Sequence, residues 1–143
     1  MIQRIDHIAI AVPSIEQART FYESLGLEVA HIEDVPQEGV KVAMIWCGQT
    51  RIELIEPLGD DSPVHAFLEK RGPGMHHLCF ASDAIQDDNR KVQSAGYRTL
   101  RPDPTPGADG CWVQFVHPKS ANGVLVELNQ KMDAAEGSEP AAH

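Results

Sequence analysis

Positive charge is in short supply in this chain of 143 residues: 12 Lys and Arg stand against 21 Asp and Glu, for a formal net charge of −9. That balance argues against a nucleic-acid partner, which would need a basic face. An anionic small molecule stays open, because a metal ion or a well-placed Lys outweighs the global field locally. Long apolar runs are missing too. None approaches the ~18 residues of a membrane span, and Met1–Asp6 lacks the apolar core of a signal peptide. The expectation is a soluble, cytoplasmic protein with no membrane partner. Cysteine is sparse and odd in number, and Cys47, Cys79 and Cys111 show no CxxC spacing. This speaks against a disulfide framework or zinc ribbon and predicts reduced, buried thiols in strands. There is no HExxH-like cluster, so any metal must be held by residues far apart in sequence.

What the chain does have is one short pattern written twice. Ile5-Asp6-His7-Ile8-Ala9-Ile10-Ala11-Val12, then Ile15 and Gly26, returns as Met75-His76-His77-Leu78-Cys79-Phe80-Ala81-Ser82, then Ile85 and Gly96. His7 and His77, Ile15 and Ile85, and Gly26 and Gly96 are each 70 positions apart. Val40–Ile45 matches Cys111–Val116 at an offset of 71. Glu53 matches Glu127 at 74, because the turn Pro118–Gly123 is longer than Gly48–Thr50. Each half opens on a strand with a His and closes on a strand with a Glu.

Periodicity orders the rest. Residues 3–12 read as a buried strand. Ser14 then caps a helix in which Ile15, Ala18, Phe21, Tyr22 and Leu25 recur at helical spacing, and Gly26 ends it. Strands follow at about 27–33, 40–46 and 51–56. A helix over 60–71, with Ser62 as N-cap and Pro63 in the first position, links the halves. The second half predicts a strand at 75–81, a helix at 84–95, and strands near 97–101, 111–117 and 123–129. The fold class is α+β. Two tandem βαβββ modules, about 3–57 and 74–130, make one domain over 1–132, with a curved mixed sheet around a metal cleft. Residues 133–143, poor in apolar periodicity, are expected to form a disordered tail.

A pseudo-twofold axis between such halves brings two His and two Glu together. His7, Glu53, His77 and Glu127 are therefore the candidate ligands of one divalent metal. Two imidazoles with carboxylates and open water positions suit Co²⁺, Mn²⁺, Ni²⁺, Zn²⁺ or Mg²⁺. Taken singly, a strand His is more often a hydrogen-bonded structural residue, and a strand Glu usually faces solvent. The repeat weakens that bland reading. Ile5 and Ala9 flank His7, and Leu125 and Asn129 flank Glu127, so both can point inward where an unpaired charge is costly. One metal neutralises the set. The repeat aligns His77, rather than His76, with His7. His31, His65 and His143 have no repeat partner and read as surface residues. His117, just before Pro118-Lys119, stands near the expected mouth of the site, with surface again the simpler reading.

Asp6–Val12, Ile52–Leu58, Gly74–Phe80, Phe115–Lys119 and Gly123–Leu128 together resemble the methylmalonyl-CoA epimerases, a family of the vicinal-oxygen-chelate (glyoxalase-like) superfamily. The resemblance runs from about Ile5 to Gln130. It implies paired modules around a divalent metal, Co²⁺ foremost, an acyl-CoA substrate and often a homodimer, which would also cover exposed sheet edges. It matches His7, His77 and Glu127 to metal ligands, and Glu53 to a position that the family fills with Gln or Glu. The implied chemistry is removal of the C2 proton of a 2-methylmalonyl thioester and its return to the other face, with the metal on the thioester and carboxylate oxygens. Glu53 is the expected base, Glu127 its counterpart, and Lys119 the expected contact for the substrate carboxylate or the CoA phosphates. One departure stands out: where some bacterial epimerases carry a Glu proposed as a base, this chain has Val42. Three other readings stay beside this one. They are a glyoxalase-type lyase (lactoylglutathione lyase), an extradiol dioxygenase with Fe²⁺, and a non-enzymatic small-molecule-binding dimer of the same fold. The retained His7, His77 and Glu127 argue against the last.

Overall fold

The alternating apolar run at the start forms β1 (Ile2–Ala11), and Ser14 turns the chain into α1 (Ile15–Ser24) by accepting a hydrogen bond from the Gln17 amide. β2 (Val29–Val35), β3 (Val40–Cys47) and β4 (Thr50–Pro57) follow. α2 (Pro63–Arg71) begins as expected, with Ser62 accepting from the Val64 amide and Pro63 in the first turn. Then come β5 (Gly74–Ser82), α3 (Ile85–Ser94), β6 (Thr105–Pro106), β7 (Cys111–Val116) and β8 (Leu125–Lys131). The computed structural model describes residues 1–133. Beyond Asp133, the tail expected to be disordered lies outside the described residues. Among the described residues, no helix is long and apolar enough to cross a membrane.

Backbone contacts gather the chain into two units, Asp6–His76 and Met1–Ile5 with the residues from His77 onward. In the first, the strands lie in the order β2-β3-β4-β1, with β1 and β4 parallel and the other pairs antiparallel. In the second the order is β5-β8-β7-β6, with β5 and β8 parallel. This is the α+β arrangement of two βαβββ modules. The register repeats as well. Glu53 sits beside Ala9 and opposite Met44, and Glu127 sits beside Cys79 and opposite Phe115. β3 and β4 are joined by the two-residue turn Gly48-Gln49, with Gly48 at φ 64°. The longer β7–β8 connection absorbs its extra residues in a 3₁₀ turn over Pro118–Ser120, so the pairing does not slip. A slip of one residue would turn Glu127 to the other face.

Both module helices start and stop by the same bonds. The first amide of α1, Ile15 N, donates to Glu56 Oε1 at 2.7 Å, and the first amide of α3, Ile85 N, donates to Gln130 Oε1 at 2.8 Å. Glu56 and Gln130 are 74 positions apart, like Glu53 and Glu127. At the other end, Gly26 at φ 86° and Gly96 at φ 91° occupy the left-handed position of a Schellman motif. The Leu27 amide returns to Tyr22 O and the Tyr97 amide to Val92 O.

The cores differ in character. Val12, Ile15, Ala43, Ile45 and Leu54 form the first, with Ile10, Tyr22 and Val29 against it. The second is smaller, built on Ile85, Trp112 and Leu128. There Gln114, the repeat partner of Ala43, is fully buried and donates to Asn89 Oδ1 at 2.9 Å and to Arg101 O at 2.8 Å. Two expectations need correction. Residues 97–101 run along β7 through two backbone hydrogen bonds and a single Thr99–Val116 bridge, short of a strand. Pro102, Pro104 and Pro106 then remove amide donors, and the ladder resumes as the two-residue β6. Cys79 and Cys111 are buried, but Cys47 is exposed, because it ends β3 at the hairpin turn. The shared helix start gives an internal control. Glu56→Ala should lower stability by ~0.5–2 kcal/mol, the range for losing a helix cap. Glu56→Gln, copying Gln130, should retain most of it in a urea titration.

Candidate functional site

In the first unit the polar residues gather where β1 and β4 run side by side. β1 carries Asp6 and His7, β4 carries Arg51 and Glu53, and the parallel register sets His7 beside Arg51. All four are buried. His7 Nδ1 lies 2.8 Å from Asp6 Oδ2 and 3.4 Å from Glu53 Oε2. Arg51 Nη2 donates to Asp6 Oδ2 at 2.9 Å and stands 3.1 Å from Glu53 Oε2. With a carboxylate oxygen 2.8 Å from Nδ1, the tautomer protonated there satisfies that contact and leaves Nε2 as the acceptor nitrogen of the ring. Trp46, opposite Arg51 across the β3–β4 pair, has its ring centre 5.4 Å from the guanidinium carbon.

In the second unit β5 and β8 place His77 and Glu127 together. His77 Nε2 is 2.9 Å from Glu127 Oε1, and neither side chain is more than 10% exposed. The Phe115 ring meets the His77 ring edge-on, with centres 5.8 Å apart. Cys79, fully buried, neighbours Glu127 in the β5–β8 register. His76 turns away, its ring against Phe67 of α2 at 5.0 Å. The two histidines thus part company, in keeping with the alternation of side chains along a strand.

The remaining candidates are placed as follows. Lys119 is exposed in the Pro118–Ser120 turn, and its amide donates to His117 Nδ1 at 3.0 Å, so His117 caps that turn. His31 and His65 have side chains 57% and 34% exposed, and His143 lies outside the described residues. Val42 is buried on β3 opposite Ile55, two residues before Met44, which faces Glu53. Reading the sequence did not find Asp6 or Arg51. A signal existed for Arg51, which precedes Glu53 by two residues and so shares its strand face. Asp6 carried none beyond being next to His7.

The donors fit a divalent cation. His77 Nε2 and Glu127 Oε1 converge to 2.9 Å, close to the ~3 Å between neighbouring ligand atoms that each stand about 2.1 Å from one ion. His7 has on Nδ1 the kind of carboxylate partner that orients ligating imidazoles. Nitrogen and carboxylate donors of this kind suit borderline and hard ions.

Known proteins bear on this arrangement. A sequence profile of the glyoxalase/bleomycin resistance protein/dioxygenase superfamily matches residues 6–115. The ethylmalonyl-CoA/methylmalonyl-CoA epimerase of Cereibacter sphaeroides is 45% identical over 133 residues, 91% of this chain and 99% of that one. The mitochondrial methylmalonyl-CoA epimerase of Homo sapiens is 43% identical over 129 residues, 89% of this chain and 73% of that one. Among solved structures, a variant of Streptomyces coelicolor methylmalonyl-CoA epimerase in complex with 2-nitronate-propionyl-CoA superposes with a TM-score of 0.88. It is 34% identical and covers 98% of this chain and 100% of that one.

Proposed function

The chain belongs to the glyoxalase/bleomycin resistance protein/dioxygenase superfamily, and within it we propose that it is an isomerase, a methylmalonyl-CoA epimerase that interconverts the 2R and 2S forms of its substrate or of a close 2-alkylmalonyl-CoA. The observation that carries this reading is the buried imidazole–carboxylate pair at the same register in each module, His7 with Glu53 and His77 with Glu127. Likeness to epimerases over nearly the full chain supports it. Both modules are read as one domain over residues 1–132, working in the cytoplasm.

In this reading His7, through Nε2, His77 and Glu127 hold one divalent cation, Co²⁺ foremost, with Glu53 as a fourth donor. When bound, such an ion supplies positive charge opposite the oxygen on which negative charge develops. The work of the chain itself is proton transfer. Glu53 takes the C2 proton while the electron pair of the C2–H bond moves onto the thioester carbonyl. A proton returned to C2 from the opposite face, with the pair moving back, completes the inversion. Val42 offers no titratable group, so the return is assigned to Glu127, the repeat partner of Glu53, which starts protonated and ends ionised as Glu53 ends protonated, both being reset by exchange with solvent. Lys119, exposed beyond the end of β7, is assigned to the anionic part of the substrate, the carboxylate or the CoA phosphates. A homodimer belongs to the same reading, because β2 pairs on one side alone among the described residues and such an edge invites cover.

Four outcomes test the proposal. His7→Ala and His77→Ala should each lose most bound Co²⁺ in equilibrium dialysis, since removing one ligand weakens the hold of the others; full occupancy in both variants would contradict the ligand assignment. Glu53→Gln should keep its metal and lose about 10²–10⁴-fold in epimerisation rate, the range for a positioned acid or base. Glu127→Gln should lose metal and activity together, and near-normal turnover by Glu53→Gln would move the base elsewhere. Light scattering at micromolar concentration should return twice the 15.7 kDa chain mass, and a monomer mass would count against the dimer.

A further inference from the structure

Resting on the epimerase reading, we propose that Arg51 is a positioning residue for the proton transfer: its guanidinium holds Glu53 and, through Asp6, His7 in the orientations that the reaction uses. An inequality between the modules points to this role. Register places Arg51 beside His7 in the first module and Leu125 beside His77 in the second. The same strand geometry is thus made with leucine in one half and with a buried arginine in the other. The sheet itself does not require the guanidinium. Burying an ion costs several kcal/mol of desolvation, and a packed apolar residue is often as stable or more so. Strand packing alone therefore does not call for Arg51; its guanidinium answers the charge of Asp6 and Glu53 and fixes where they point.

Those contacts close a ring of four atoms. Arg51 Nη2 lies 2.9 Å from Asp6 Oδ2 and 3.1 Å from Glu53 Oε2. The same two oxygens flank His7 Nδ1, at 2.8 and 3.4 Å. Donors and acceptors alternate around the ring, so rotating any one side chain breaks two contacts at once. The Glu53 rotamer, the His7 ring orientation and the Asp6 carboxylate become one coupled unit. Trp46, stacked at 5.4 Å, covers the guanidinium and limits its sway. Lysine would match the charge but not the planar fork. At the place of Asp6 the second module has His76, whose ring turns to Phe67, so the ring is built in the first module alone among the described residues.

The test uses Arg51→Leu, which copies the other module, and Arg51→Lys, which keeps the charge and guards against misfolding. Four readouts are taken on the full chain: Co²⁺ affinity by calorimetry, the visible spectrum of the Co²⁺-loaded protein, kcat and KM for methylmalonyl-CoA, and the urea midpoint. Arg51→Leu should lower Co²⁺ affinity and kcat by about 10–100-fold each, the range for losing an outer-shell partner, with KM little changed. Arg51→Lys should recover part of both and keep the wild-type urea midpoint. The Co²⁺ spectrum should shift in Arg51→Leu, because His7 loses its fixed orientation. The proposal is overturned if both variants match the wild type in affinity, spectrum and kcat. A loss confined to the urea midpoint, with kcat per folded molecule unchanged, overturns it as well. If wild-type protein binds Co²⁺ but does not epimerise the substrate, the epimerase reading fails, and affinity and spectrum still decide whether Arg51 positions His7.

Discussion

Burying a carboxylate in a sheet costs several kcal/mol unless a partner offsets the charge, and this chain buries three around its two site histidines: Asp6, Glu53 and Glu127. Each is met by a nearby nitrogen. His77 answers Glu127, while His7 and Arg51 share Asp6 and Glu53. The strand register exists to make these meetings possible, because a His and a Glu on neighbouring parallel strands reach each other only when the pairing is held. In both modules the Glu stands beside the residue two positions after the His. Helix starts, glycine stops and hairpin lengths can be understood as what keeps that pairing in place.

Much of this scaffold was legible because repeated chemistry leaves repeated spacing. The glycines at Gly26 and Gly96 marked the helix ends, since only glycine accepts φ near +90° there without strain. The shift of the closing strands to an offset of 74 marked a longer turn without disturbing the match of Glu53 with Glu127. What escaped the reading has physical causes too. Residues 97–101 carry β-compatible side chains, but the prolines that follow withhold the amide donors a strand needs. Arg51 shares the strand face of Glu53, but that spacing alone does not tell a buried arginine from an exposed one. Its burial depends on Asp6, 45 positions away, a pairing that exists only once β1 and β4 are side by side.

The duplication is geometric rather than chemical. Ala43 becomes Gln114, Arg51 becomes Leu125 and Asp6 becomes His76, while His7, Glu53 and the helix ends keep their counterparts. Epimerisation asks for this combination. Removing a proton from one face and returning it to the other calls for two similar arms, which the proposed reading assigns to Glu53 and Glu127. A guanidinium beside Glu53 and none at the corresponding place beside Glu127 makes the arms unequal.

The central claim is that the buried histidine–carboxylate pairs serve metal-assisted proton exchange at C2 of a malonyl-type thioester. Deuterium incorporation at C2 of methylmalonyl-CoA in heavy water tests it most directly, read by mass spectrometry on metal-stripped protein and on the same protein restored with Co²⁺. The account predicts rapid incorporation after restoration and little before it. Absence of incorporation in the restored protein, or incorporation that stripping leaves unchanged, would contradict it.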